Sequence, residues 1–410
     1  MMSDWRTNQG GGTAVLERRS APAERSWSAV VEEEIWSSVD EIDVAAWEQV
    51  RDPSDLFLDL RLLQAVETSM AATCRFRYVL YRDAAGEPAA IAVLCTFTID
   101  IGVLADDAWS RWALRGLRRI SRKLVDYRIL FCGLPLSACQ SSLRFAPGAD
   151  SQIILQRLDV ALRRFAKQDR ASVIVLKEFA DEELPPLKPL ETLGYRKADS
   201  LPTHLVALHS DSFDGFLKDM NSKRRANVRM SLKKFAGKGV EFVTTSDYAT
   251  IERLFTPETY RLYEEVLGRS ETKLEHLPQE LFLEMARQLP DCCEFTFAVE
   301  GERVIAFCIS LWNDHEYRGL FIGYDASRNQ DLDLYFNLAF RTIAEAAFHR
   351  SAVVEIGQNS SYFKRTKLGA VQSRRSLYVR GGNAVMNGVI GLLFKQLFPP
   401  RPLDGAGEGQ

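Results

Sequence analysis

Residues 352–357, AVVEIG, hold a single acid, Glu355, in an otherwise apolar, strand-like run. A carboxylate withdrawn from water has its pKa raised toward working pH, which is what a general base requires. On a solvent-facing edge the same residue is an ordinary surface acid. Directly after the run come Asn359, Ser360 and Ser361, short polar side chains at a strand end that could hold a substrate by hydrogen bonds. Lys364 and Lys367 follow and could meet a phosphate or a substrate carboxylate, with Arg374 and Arg375 as weaker candidates that could equally face water.

A second chemical feature lies upstream, in residues 323–340, GYDASRNQDLDLYFNLAF. An apolar run enters a polar knot and leaves as a helix, a standard arrangement for holding a phosphate at a helix N-terminus. This knot carries Asp331 and Asp333 where glycines are usual. Glycine permits close backbone approach and positive φ, and a carboxylate beside a diphosphate adds repulsion of roughly 1 kcal/mol at 4 Å in water. Aspartate also caps helices, so the acids have a structural reading as well.

Two basic stretches run against a chain of formal net charge -3. Residues 111–123, RWALRGLRRISRK, place Arg111, Arg115, Arg118 and Arg122 on one helical face, with Arg119 and Lys123 beside them. Residues 222–238 carry Lys223, Arg224, Arg225, Arg229, Lys233, Lys234 and Lys238. Neither stretch has the interleaved acids of a solvated helix face. Such surfaces suit an acidic protein partner, a phosphate or an RNA backbone. The whole chain is not basic and the clusters lack interleaved stacking aromatics, which ranks an acidic protein ahead of RNA.

Other chemistries have weak support. The seven cysteines have no regular spacing and sit mostly in apolar runs, as reduced thiols of a cytoplasmic protein do. Cys132 has no histidine nearby in sequence and reads as core. The five histidines show no metal-ligand spacing, so no metal is expected. No run approaches the length of a membrane span, and GVIGLLFKQLF near the C-terminus reads as a packing helix, so no membrane partner is expected.

These residues need a scaffold, and the chain repeats one. Residues 75–100 and 293–314 both read as hairpins with a Gly-containing turn. Each is followed by a helix (148–167 and 332–350), a buried strand (171–179 and 351–358), a Leu-Gly pair (193–194 and 368–369) and a last strand, THLVAL or RSLYVR. The expected α/β architecture has a leader at 1–27, domains at 28–205 and 206–395, and a tail at 396–410.

This order of elements resembles the GNAT acyltransferase fold, duplicated as in the FemAB-like aminoacyl transferases. Residues 212–235 are similar to the basic helix that opens the C-terminal half in that group, and EIGQNSSYFKRTKLGA (355–370) to its strand ending in Gly, then a Lys before Leu-Gly-Ala. The resemblance implies two tandem GNAT-like domains, each a mixed, mostly antiparallel sheet flanked by helices. It also implies amide-forming acyl transfer: a carbonyl polarised by a backbone N–H near residues 322–325, Glu355 as base, and Tyr324, Tyr362 or Tyr335 as acid. Lys364 and Lys367 both match the family lysine. Arg328 opens the register of the pyrophosphate loop, and the acids after it imply that coenzyme A is not gripped there in the usual way. The leading expectation is therefore a phosphopantetheine thioester on an acyl carrier protein, docked at Arg115 and Arg119, with a small-molecule amine as acceptor. Coenzyme A in an altered pose and an aminoacyl-tRNA are alternative donors, and a non-catalytic binding module is the alternative outside enzymes.

Overall fold

A computed structural model describes residues 32–100, 126–136, 139–269, 276–401 and 403. The first seven strands are β1 (Glu32–Trp36), β2 (Arg75–Arg82), β3 (Pro88–Asp100), β4 (Asp126–Cys132), β5 (Leu143–Phe145), β6 (Val173–Phe179) and β7 (Arg196–Asp199). The next four are β8 (Thr203–Ala207), β9 (Val240–Thr245), β10 (Cys293–Glu300) and β11 (Arg303–Trp312). The last four are β12 (Glu316–Tyr324), β13 (Val353–Glu355), β14 (Val371–Ser373) and β15 (Ser376–Gly381).

Both expected hairpins form, and in each the turn is fixed by a glycine in the left-handed region: Gly86 at φ 82° and Gly301 at φ 64°. The helix Ser151–Asp169 starts at Asp150, whose side chain accepts from the N–H groups of Gln152 and Ile153. Its apolar face buries Ile154, Leu155, Leu158 and Leu162 against β4 and β6. The helix Leu334–Phe348 similarly buries Phe340, Ile343 and Ala347 in the second half.

The sheets are mixed and mostly antiparallel, as expected. The first runs β1-β2-β3-β4-β6-β15-β7, with β5 on β3, and the second runs β14-β8-β13-β12-β11-β10-β9. Each contains one parallel pair, β4 with β6 and β12 with β13. The repeat has one twist that the sequence did not show: the halves exchange strands. THLVAL becomes β8 and pairs with β13 and β14 in the second sheet. RSLYVR becomes β15 and pairs with β6 and β7 in the first. A division at 205/206 therefore cuts through β8.

A shared core locks the halves together. Phe57, Leu62, Leu63 and Val66 of the first half join Phe255, Phe282, Phe295 and Phe307 of the second. Phe255 meets the other three rings edge-on at 5.0–5.6 Å. Full burial of such side chains stabilises by about 1.5–3 kcal/mol each, so groups lying between the halves are rigidly held.

Candidate active site

In the second sheet, β12 and β13 run together only as far as Arg318 and Glu355. β13 then stops while β12 continues, which opens a gap at the strand ends. β12 is irregular here: Ile309 pairs with Phe321 and Ser310 with Gly319, leaving Leu320 as the extra residue of a bulge. The expected free N–H between 322 and 325 is not placed at Asp325, whose N–H donates to the Ile305 carbonyl at 2.9 Å.

Glu355 is the last residue of β13 paired with β12 and is buried, not on an edge. Its carboxylate accepts from the Gly357 N–H at 2.7 Å, from the Thr203 hydroxyl, and from Arg318 Nη1 at 3.3 Å. Thr203 arrives on the exchanged strand β8, so the chain leaving the first half completes the site. Arg318 is itself clamped by Glu316, to which Nε and Nη2 donate at 2.9 and 2.6 Å. Burial works against its charge, and Glu316 and Glu355 outweigh this and hold the guanidinium's pKa above its ordinary value. Three donors thus converge on this one carboxylate.

That carboxylate faces Lys364. Residues 364–368 form a single wide π-type turn, the insertion that made the lysine spacing ambiguous in sequence. The turn directs Phe363 and Lys364 inward. Lys364 Nζ comes so near Gly357 that a Cβ at that position would lie 3.6 Å from it. Burial pulls the ammonium pKa down to about 8, with Glu355 pulling the other way. Lys364, and not Lys367, is the lysine brought to Glu355; Lys367 is half-buried on the turn.

The three tyrosines separate clearly. Tyr362 is 81% exposed, so it is not part of the buried cluster. Tyr324 ends β12 with its ring centroid 6.0 Å from that of Tyr335. Tyr335 is the nearer, packed 5.2 Å from Phe363; burial pushes its hydroxyl up to about 12, against a hydrogen bond with Ser360. Ser360 adopts φ 60° beside exposed Asn359, and Ser361 Oγ accepts from Gln372 at 2.9 Å.

The acids of the polar knot do something other than line a loop. Residues 326–332 are a helix capped by Asp325, whose carboxylate accepts from the Ser327 N–H at 2.9 Å. Asp333, at φ 49°, makes no side-chain cap; it pairs with Lys234 at 3.0 Å. Asp331 is exposed, and Arg328 is tied to Glu300. Residues 326–332 are therefore helical, not the open loop that the resemblance implied.

Of the basic stretches, Arg115 and Arg119 lie outside the described residues. The other forms the helix Ser222–Phe235, capped by Asn221. Arg224 lies against the Leu368-Gly369 turn, where a Cβ on Gly369 would come within 3.0 Å of its Nη1. Arg225 and Arg229 line a shallow groove with Lys233, Lys223 is exposed, and Arg225 donates to the Met220 carbonyl at 3.2 Å.

Sequence reasoning missed three contributors, Thr203, Arg318 and Cys139, and placed a fourth, Arg375, only as a weaker candidate that could face water. Arg375 does not face water. It is buried, with Nε donating to the Cys139 carbonyl at 3.0 Å and Nη1 to Ser373 Oγ at 2.8 Å, and so straps a first-half loop onto the second. The one readable signal was Arg318, a charge inside an apolar strand. Cys132 is core as expected, its thiol pushed by burial up to about 12. Among the described residues no group of His, Cys, Asp and Glu is placed to hold a metal.

Comparison with known proteins gives this geometry a family. Residues 38–366 match the FemAB-like family, described as peptidoglycan biosynthesis/recognition. FemX is structurally similar, with a TM-score of 0.52 at 11% identity over 85% of this chain and 96% of that one. A tandem GNAT protein from the clavulanic acid biosynthesis pathway has a TM-score of 0.50 at 11% identity, over 86% of this chain and 99% of its own. A conserved protein of unknown function from Bacteroides thetaiotaomicron has a TM-score of 0.50 at 9% identity, covering 85% and 99%. No curated protein matches the chain at significance. With most of its length matched and its two GNAT-like sheets in place, the chain belongs to the FemAB-like family of transferases.

Proposed function

We propose that this protein forms amide bonds by moving an aminoacyl group from the ribose ester of a tRNA to the amine of an acceptor. The observation that carries the reading is the family match over residues 38–366, and the helix at 326–332, in the register that the resemblance gives to the diphosphate loop, supports it. The helix disfavours coenzyme A without separating carrier protein from tRNA. The family match supports tRNA, because FemAB-like transferases draw on that donor. The carrier-protein expectation leaned on Arg115 and Arg119 and finds no support in the described residues. The helix Ser222–Phe235, with Arg224, Arg225 and Arg229, is the surface this reading gives to the RNA backbone.

The chemistry follows from the buried cluster. The acceptor nitrogen attacks the ester carbonyl carbon, the C–N bond forms, and the C–O bond to the ribose breaks. Lys364, protonated below about 8, gives its proton to the departing ribose oxygen. The neutral lysine then takes the proton shed by the new amide nitrogen, which closes the cycle. Glu355 is a positioning residue in this scheme: it holds the 356–360 loop through the Gly357 N–H and fixes the field around Lys364. Tyr335 and Ser360 border the acceptor side.

The test is transfer of radiolabelled amino acid from a mixed aminoacyl-tRNA pool to an amine library. Label should reach an amine, and ribonuclease treatment of the donor should abolish it. Equal transfer from acyl-carrier protein or acyl-coenzyme A, insensitive to ribonuclease, would return the donor to phosphopantetheine.

A further inference from the structure

The helix Ala384–Leu397 is apolar on more sides than its docking uses. Ile390 is buried against Val175 and Val379, with Met386, Phe394 and Phe398 beside it. The outer side exposes Val385 (79%), Val389, Leu392 (81%), Leu393 and Leu397. These five recur at helical spacing and form one stripe. A contiguous apolar stripe left in water marks an interaction surface.

Charge identifies what covers it. The start of the same helix, Asn383, Ala384 and Asn387, lines a cleft of about 780 Å³ together with Arg163, Lys167, Arg170 and Arg380. One carboxylate lies beneath: Asp159 pairs with Arg163 at 2.8 Å and Arg380 at 2.6 Å. Among the described residues Lys167 and Arg170 have no ion pair, and both are exposed. Four cations thus meet one anion. No acid lines the cleft, and Lys395 is the one charged residue of the helix.

We propose that this face is a peripheral membrane-docking surface, in which the stripe enters the interface of an anionic bilayer and the basic cleft takes lipid phosphate headgroups. Apolar burial and attraction to anionic lipid act together in such contacts. A second copy of the face brings the same cations and no carboxylate to meet them, which disfavours self-pairing. The helix has 14 residues, and no helix among the described residues is long and apolar enough to cross a membrane, so the contact is interfacial. This inference stands apart from the identity of the donor.

The test is co-sedimentation of the full chain with vesicles of phosphatidylcholine alone, or of phosphatidylcholine mixed with phosphatidylglycerol. Binding should favour the anionic vesicles and weaken at high salt. Val385→Glu with Leu392→Glu should lower partitioning onto both vesicle types by roughly tenfold or more. Lys167→Glu with Arg170→Glu should remove only the preference for anionic vesicles. All four side chains are exposed, so the variants should keep the parent circular dichroism spectrum. Parent protein left in the supernatant with anionic vesicles at low salt overturns the proposal, as does binding that Val385→Glu and Leu392→Glu leave intact. A soluble dimer that Leu392→Glu dissociates, without vesicle binding, would assign the stripe to a second copy instead.

Discussion

The parallel crossing occurs once in each sheet, and the two hold opposite contents. In the first, β4 and β6 register Phe131 on Val175 and Cys132 on Leu176. Every one of these is apolar, and the helix Ala384–Leu397 lies over Val175. In the second, β12 and β13 register Tyr317 on Val354 and Arg318 on Glu355, with Lys364 above them. Buried charges bring a desolvation penalty that apolar side chains of similar volume avoid. The paired register of the first crossing closes without them, and the buried Glu178, 3.8 Å from Lys177, lies just past its end. What sets the second crossing apart is that its charges, Arg318 and Glu355, stand opposite each other within the paired register itself.

Removing the lysine should break the comparison most sharply. Lys364→Met keeps the Arg318–Glu355 pair and removes only the proton donor, and the rate of transfer should fall by about a thousandfold, as for loss of a positioned proton donor. The same substitution should raise stability, because it removes a buried ammonium. A variant with parent-like turnover would take Lys364 out of the chemistry.

Glu355→Gln tests the other charge. It leaves Arg318 and Lys364 buried with one compensating anion fewer, which costs about 3–5 kcal/mol where a buried pair is broken from one side. Urea denaturation should show the loss directly. Turnover should also drop in whatever fraction stays folded, since the Gly357 N–H loses its charged acceptor.

The lysine's titration gives a prediction in which sign matters. Its folded pKa is about 8 against an ordinary 10.5. Between those values the unfolded chain binds more protons than the native one, so stability rises with pH across that window. Below pH 8 the buried ammonium costs its full amount, about 3 kcal/mol. At a fixed concentration of unprotonated acceptor amine, activity should run the opposite way, flat below about 8 and falling above it as the donor proton is lost. Lys364→Met should abolish the rise in stability, and a parent curve flat across the window would contradict the buried charge.

Much of the scaffold was legible because its signals are local. Hairpin turns need Gly86 and Gly301, and the two long helices carry their apolar faces in consecutive residues, the first with its cap at Asp150. The strand exchange was not legible, because THLVAL and RSLYVR suit either sheet and pairing is decided by distant partners. Glu355 stood out as a lone acid among apolar neighbours, whereas Thr203, 152 residues away, gives no sign of reaching it. The knot at 325–334 was read as a loop because the resemblance puts the diphosphate loop in that register, between a strand and a helix N-terminus. Asp325 and Asn329 instead start one helix and receive the N–H of Tyr335 at the start of the next, at 2.9 Å.

The first crossing offers a smaller effect of a different kind. Val175→Ala removes methyl groups from an apolar seam shared with Val379 and Ile390. It should cost roughly 2 kcal/mol of stability and leave kcat unchanged. Any specific loss of turnover would show that the halves share chemistry as well as strands.

The smallest expected effect is at Tyr362, and its size is what makes it useful. With 81% of the residue exposed, Tyr362→Ala should change stability by less than about 0.5 kcal/mol. Its backbone still matters, since its carbonyl accepts from Thr366 Oγ1 at 2.6 Å and holds the wide turn, and alanine keeps that bond. If the turn is as fixed as the buried Phe363 and Lys364 imply, transfer should be unaffected too. Tyr335→Phe, by contrast, deletes the hydroxyl that meets Ser360 and should slow transfer measurably. The reverse ranking would mean that the 360–368 segment turns over when substrate binds, bringing Tyr362 inward and making the second crossing a moving site where the first is a rigid seam.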